Sequence, residues 1–206
     1  MGHYKIVNQH EPHFLTLTTV GWIDIFTRQV FRDLFLDSIR YCQREKGLVI
    51  NAWVIMSNHV HLVARTEEPH RLSDVLRDMK KFTARKITEE ISGDAKYESR
   101  REWLAYLTRF FAKHNARNHE HQLWQQYNCP MEVNTIKFAM QKINYIHNNP
   151  VKAGIVRIPD QYIYSSACDY MGRKGLIDVE IIEAAPGTLI GSLARQSGDW
   201  LIVARR

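Results

Sequence analysis

The sequence predicts an α+β fold, a ferredoxin-like sandwich with an antiparallel four-stranded sheet, one helical insertion and a C-terminal extension. Three observations carry this. Short β-branched segments and longer stretches of helical periodicity follow one another as β-α-β-β-α-(helix)-β-α, whose core is the split βαβ pattern. Two strand-like segments, HFLTLTTV and VIMSNHVHLV, have the composition of sheet interiors. Beyond about residue 151 no regular pattern continues.

The first strand is predicted over 13–20, where β-branched residues alternate. Thr27 is placed as a helix N-cap. After it Val30, Phe31, Leu34, Phe35, Ser38, Ile39 and Cys42 recur at helical spacing, and Gly47 ends the run. Strands follow over roughly 48–56 and 59–66, with Ser57-Asn58 as their turn. Ser73 is read as the N-cap of a helix to about 91. Leu72, Val75, Leu76, Met79, Phe82 and Ile87 form its apolar side and Gly93 breaks it. A helical insertion, about 95–118, carries Trp103, Leu104, Leu107, Phe110 and Phe111 as its expected buried stripe. HQLWQQY, 121–127, is assigned as the fourth strand, and Glu132 to about Asn149 as the last helix, stopped by Pro150. The domain is drawn over 1–170 and the extension over 171–206. In the extension, DVEIIE and WLIVARR are read as short strands or helical turns.

Composition narrows the class. In 206 residues there is no apolar run near the ~18 a membrane span needs, and the first residues lack the apolar core of a signal peptide. Three scattered cysteines, Cys42, Cys129 and Cys168, form neither a CxxC pair nor a disulfide framework. A reducing, cytoplasmic setting is expected. The net charge of +6 is compatible with a nucleic-acid partner and equally with a merely basic protein.

Three constellations could carry chemistry. In His59-Val60-His61 the strand period turns both imidazoles to one face and Val60 to the other. Two neutral imidazoles side by side can share a metal ion, and they can equally be a locally hydrogen-bonded pair. His119-Glu120-His121 has the same spacing but follows a charged stretch, so a solvated loop is expected there. In NYIHNNPVKAGIV, Tyr145 and Asn149 lie four apart and share a helix face, with His147 turned away. A tyrosine near a helix end can also be a half-buried core residue. In RDMKKFTARK, Arg77, Lys81 and Arg85 step by four with Lys80 alongside. That stripe suits a phosphate backbone or a solvated helix face.

Taken together, WVIMSNHVHLV (53–63), KKFTARKI (80–87), LWQQY (123–127), YIHNNPVKAGIV (145–156) and YIYSS (162–166) resemble the single-tyrosine HUH transposases, especially their REP-associated branch. Order and spacing agree over about residues 13–170. The resemblance implies the ferredoxin-like fold and the cutting and rejoining of single-stranded or hairpin DNA. It implies Tyr145 as nucleophile, with His59, His61 and Asn149 as ligands of a divalent metal, Mg²⁺ or Mn²⁺. Arg77, Lys80, Lys81, Arg85 and Lys152 are expected to face nucleic acid, and a homodimer is possible for such a protein. Ser57 stands where the family often has proline, and the tail after 170 has no counterpart. Two other readings stay open: a hydrolytic metal-dependent nuclease, which would leave Tyr145 and Asn149 idle, and a catalytically silent DNA-binding relative.

Overall fold

A computed structural model describes residues 5–93, 98–113 and 120–183. Its elements run β1 (His13–Thr18), α1 (Gln29–Glu45), β2 (Leu48–Ile55), β3 (His59–Thr66), α2 (Leu72–Ser92), α3 (Arg101–Lys113), β4 (Met131–Glu132) and α4 (Ile136–Lys152). The sheet order is β2-β3-β1-β4, and every pairing is antiparallel. This is the predicted α+β sandwich, and Ser57-Asn58 form the turn joining β2 to β3, closed by the Met56 N–H on the His59 carbonyl at 2.8 Å.

Alternation along each strand sorts the side chains into two cores. Leu15, Leu17, Trp53, Ile55, Val60, Leu62 and Ala64 face the layer that holds α1 and α2, with Phe31, Phe35, Ile39, Val75 and Leu76 packed on them. Phe14, Ala52, Val54 and Val63 face the other way, onto Ala139, Met140, Ile143 and Ile146 of α4. A register irregularity between Ile50 and Ala52 keeps both faces apolar along β2. His59, His61 and Val63 share one parity on β3, so both imidazoles lie on the α4 side of the sheet.

Several expected boundaries move, each for a visible reason. The segment 121–127 is not a strand. Leu123 and Trp124 are both buried though adjacent, and the backbone bonds are divided. Gln122 N–H donates to the Thr108 carbonyl of α3, while Gln125 N–H donates to Thr18 and Val20 N–H to Leu123 at the end of β1. Within 121–127 Trp124 alone forms a bridge, to Thr19. The fourth strand is instead Met131–Glu132, opposite Phe14 and His13. The last helix starts later than expected, at Ile136, because Thr135 is its N-cap and accepts from Phe138 N–H at 3.2 Å.

That helix also passes through Pro150. It ends two residues on, where Gly154 (φ 70°) closes a Schellman arrangement: Ile155 N–H donates to the Pro150 carbonyl and Gly154 N–H to Val151. Neither predicted N-cap holds. Arg28 and Arg71 occupy those positions without side-chain caps, and the Ser73 N–H is taken by the Gln9 side chain. On α3 Leu104, Thr108 and Ala112 are buried, and Leu107 and Phe111 of the expected stripe are partly buried against the same core. Trp103 and Phe110 are exposed, as is Phe82 of α2, contrary to the expected apolar stripes.

The chain after α4 covers the outer edge of β2. Ser166 N–H donates to Trp53, and Ile55 N–H to Tyr164. Farther on, Glu180 N–H donates to Ile50, so DVEIIE lies along the irregular part of β2 without being a strand itself. An exposed strand edge invites pairing with other chains, and this segment closes it. WLIVARR lies outside the described residues.

Candidate active site

Each predicted site residue arrives by the element that carries it. His61 is 4% exposed, and its Nδ1 pairs with Oγ1 of Thr16, directly opposite on β1, at 3.0 Å. Its Nε2 is buried and has no hydrogen-bond partner among the described residues. Burial pushes the His61 pKa down to about 3, helped by the neighbouring His59 and by Lys142. Half-buried His59 is lowered for the same first reason. Its Nδ1–H donates to Oδ1 of Asn58 at 2.7 Å, which leaves Nε2 as the lone-pair nitrogen. The two rings are 4.7 Å apart.

Helix α4 brings Tyr145 over this face. Its ring meets His61 edge-on with centroids 5.2 Å apart, and Phe14 at 5.9 Å, while 42% of the residue stays exposed. Phe14 in turn stacks on His61 at 5.3 Å. One turn on, Asn149 donates its amide nitrogen to the Tyr145 carbonyl at 2.8 Å, so its amide oxygen is the group it could offer a ligand. Lys152 Nζ is 5.9 Å from the Tyr145 ring centre. Lys142, one turn before Tyr145, holds its ammonium 4.6 Å over Phe14, and burial lowers its pKa. His147 points away: it is buried on Ser166 Oγ at 2.9 Å.

This donor set fits a divalent cation. Two neutral imidazoles sit together, and one buried nitrogen lacks a partner among the described residues, which is costly unless a ligand satisfies it. Among the described residues no group of three or more His, Cys, Asp or Glu could hold a metal. A third protein ligand would therefore have to be an amide or hydroxyl oxygen, and Asn149 lies one turn beyond Tyr145 on α4. In the other HxH pair, His121 is half-buried with Nδ1 on Thr108 Oγ1 at 3.0 Å rather than in a solvated loop, and His119 lies outside the described residues.

The basic residues divide between the two layers. Lys152 is beside Tyr145, whereas Arg77, Lys80, Lys81 and Arg85 line a groove between α2 and segment 120–128, in the layer on the opposite face of the sheet. Arg77 is paired with Asp74 and Asp78 and Arg85 with Glu89, all exposed. Lys80 turns inward and donates to the Gln125 carbonyl at 2.6 Å and Asn128 Oδ1 at 2.7 Å, and burial lowers its pKa to about 8. In this arrangement it ties the irregular segment to α2.

Sequence reasoning missed Thr16, Phe14, Lys142 and Trp22. Lys142 was within reach, since 142, 145, 149 and 152 follow i, i+3, i+7, i+10 on one helix face. Trp22 had no such signal: it is 59% exposed and its ring lies 6.3 Å from that of His59.

Residues 7–127, more than half of the chain, match the family model described as Transposase IS200 like. That match ends before Tyr145. No curated protein matches the sequence. Among solved structures the chain is similar to a REP-associated tyrosine transposase bound to a REP hairpin, with 18% identity, a TM-score of 0.56, and coverage of 90% of this chain and 96% of that one. It is also similar to a candidate transposase from Deinococcus radiodurans R1, with 20% identity over 72% of this chain and 97% of that one, and a TM-score of 0.41. Among the described residues no helix is long and apolar enough to cross a membrane.

Proposed function

Since the chain belongs to the IS200-like transposase family, we propose that it cuts and rejoins single-stranded DNA through a covalent bond to Tyr145. The observation that carries this reading is the contact of Tyr145 with His61 inside one chain. A nucleophile and a pair of imidazoles with an unsatisfied nitrogen are adjacent without help from a second subunit.

In the reaction the Tyr145 oxygen attacks the phosphorus of the scissile phosphodiester. The new bond joins Tyr145 to the 5′-phosphate. The bond to the 3′ oxygen breaks, and that oxygen leaves as a hydroxyl after taking up a proton, while the phenol proton passes to solvent. Attack by a 3′-hydroxyl on the phosphotyrosine reverses the step with the same balance, so no nucleotide is consumed. His59, His61 and Asn149 would hold a divalent cation, Mg²⁺ or Mn²⁺, which when bound supplies positive charge against the phosphate. Thr16 and Asn58 orient the imidazoles by their Nδ1 atoms. The Lys142 ammonium adds charge on the same face, where phosphoryl oxygens gain negative charge in the transition state.

The DNA partner is single-stranded or hairpin DNA, as the hairpin on the similar transposase suggests. Arg77, Lys81, Arg85 and Lys152 are the exposed or half-buried cations offered to its backbone, and Lys80 serves the fold of that groove. The test is incubation of the purified protein and Mn²⁺ with single-stranded oligonucleotides spanning the DNA that flanks its gene. A covalent adduct is expected, and none from Tyr145→Phe. Free 5′-phosphate product from Tyr145→Phe would instead establish hydrolysis.

A further inference from the structure

We propose that Trp22 is a stacking platform for an unpaired nucleobase beside the scissile phosphate, and that the insertion helix α3 holds it there. This rests on the DNA-cleaving reading of the same site. The backbone is the first argument. Gly21 and Trp22 both adopt left-handed conformations, with φ 57° and 56°. Glycine does so freely, whereas a bulky residue there is a rare and costly outlier. Val20 and Ile23 on either side are buried, while the largest side chain of the loop is left in water. Folding alone would favour the reverse.

The second argument is attachment to the site. A single side-chain amide joins Trp22 to the imidazole pair: Asn58 Oδ1 accepts from His59 Nδ1–H at 2.7 Å, and Asn58 Nδ2 donates to the Trp22 carbonyl at 3.4 Å. Thr19 reinforces this, its N–H and Oγ1–H both donating to the Asn58 carbonyl, at 3.0 and 2.9 Å. From the other side Phe111 of α3 presses on the loop. A Cβ at Gly21 would lie 2.6 Å from its ring. The loop is thus clamped between the turn that precedes His59 and the insertion helix, and its exposed product is an indole ring 6.3 Å from that of His59 and at 74° to it.

An indole surface at a phosphate-binding site suits a nucleobase. Stacking of a base on an aromatic ring tolerates any sequence and suits single strands, whose bases are not already paired. The net charge of +6 is compatible with such a polyanionic partner.

The experiment uses the full chain with Mn²⁺ and a pool of single-stranded oligonucleotides of randomised sequence, some thymines replaced by 5-iodouracil. Irradiation of the Tyr145→Phe protein, which retains its DNA, should crosslink mainly at Trp22. With the tyrosine present, Trp22→Gly keeps the left-handed backbone but removes the ring. It should lower adduct yield at subsaturating DNA by about 10-fold, as loss of one stacked base does. Trp22→Phe should restore most of it, and Phe111→Ala should lower crosslinking at Trp22. Adduct yield from Trp22→Gly equal to the parent's, or crosslinks confined to the α2 groove, would overturn the proposal. So would loss of self-association in Trp22→Gly with adduct yield unchanged, which would make the ring a protein contact. Crosslinking at Trp22 without adduct from the unaltered protein would support the platform and defeat the strand-transfer reading instead.

Discussion

Tyr145 and His61 of one chain meet edge to face, their ring centroids 5.2 Å apart and their planes at 67°. In this chain helix α4 packs on its own sheet, and the proposed mechanism uses it there. A mixture of Tyr145→Phe and His61→Ala proteins is expected to stay inactive, because neither chain completes the other. Adduct recovered from the mixture, at a level dependent on protein concentration, would show that α4 exchanges between subunits.

Thr16 does not reach the candidate metal position but sets His61 from behind. Thr16→Val keeps the shape and removes the oxygen. Outer-shell partners of this kind are worth about 10–100-fold in metal affinity. The variant's adduct formation should accordingly need that much more Mn²⁺, and leaving the buried Nδ1 of His61 without its partner should also lower stability by about 1–3 kcal/mol. An unchanged Mn²⁺ requirement would mean that the Thr16–His61 bond does not orient a ligand.

Lys142 should matter through charge. Lys142→Met preserves the stem that packs on Phe14 and should slow adduct formation by about 10- to 100-fold, the scale of one lost stabilising group. Lys142→Arg should recover part of the rate. Single-turnover kinetics at saturating DNA separates this from a binding defect. Equal rates for Lys142→Met and the parent would exclude the role.

The buried His147 makes stability pH-dependent. Burial holds its pKa near 3, against 6.5 for the exposed imidazole. The unfolded chain therefore takes up the proton first as pH falls. This group's contribution is fully present above about pH 6.5 and is lost towards pH 3, at up to about 1.4 kcal/mol per unit. Between pH 7.5 and 5.0 it should remove about 2 kcal/mol. Urea unfolding of the parent and of His147→Gln should differ in pH slope by that amount, and identical slopes would refute the assignment.

Gly154 is tested by Gly154→Ala. A Cβ there meets nothing within 4 Å, so the cost is conformational, about 1–2 kcal/mol at φ 70°. The variant should lose that stability in urea while its adduct chemistry persists.

What could be read beforehand was whatever depended on period and order. Alternation along 13–18 and 59–66 is local, so the strands, the shared face of His59 and His61, and the outward turn of His147 from Tyr145 followed from spacing. The misplaced elements depend on tertiary partners. Segment 121–127 looks like a strand by composition, but its donors are claimed by α3 and β1 and its acceptor Gln125 by Lys80. The α3 stripe was judged by hydrophobicity; Leu104, Leu107 and Phe111 do pack inward, whereas Trp103 and Phe110 lie outside the contact. Pro150 was taken as a stop although the glycine four residues later ends the helix. Of the site, Tyr145 and the histidines were legible as a motif. Thr16, Phe14 and Trp22 were not, because only strand register and the loop clamp bring them there.

The pairing of tyrosine and imidazoles on one polypeptide also sets a stoichiometry. Under the proposed mechanism each molecule has one such tyrosine and would carry one DNA 5′ end at a time. Releasing a segment with two ends then takes either two molecules or two successive cycles of one. The order of the reaction in protein concentration distinguishes these: second order for a pair of molecules acting at once, first order for one acting twice.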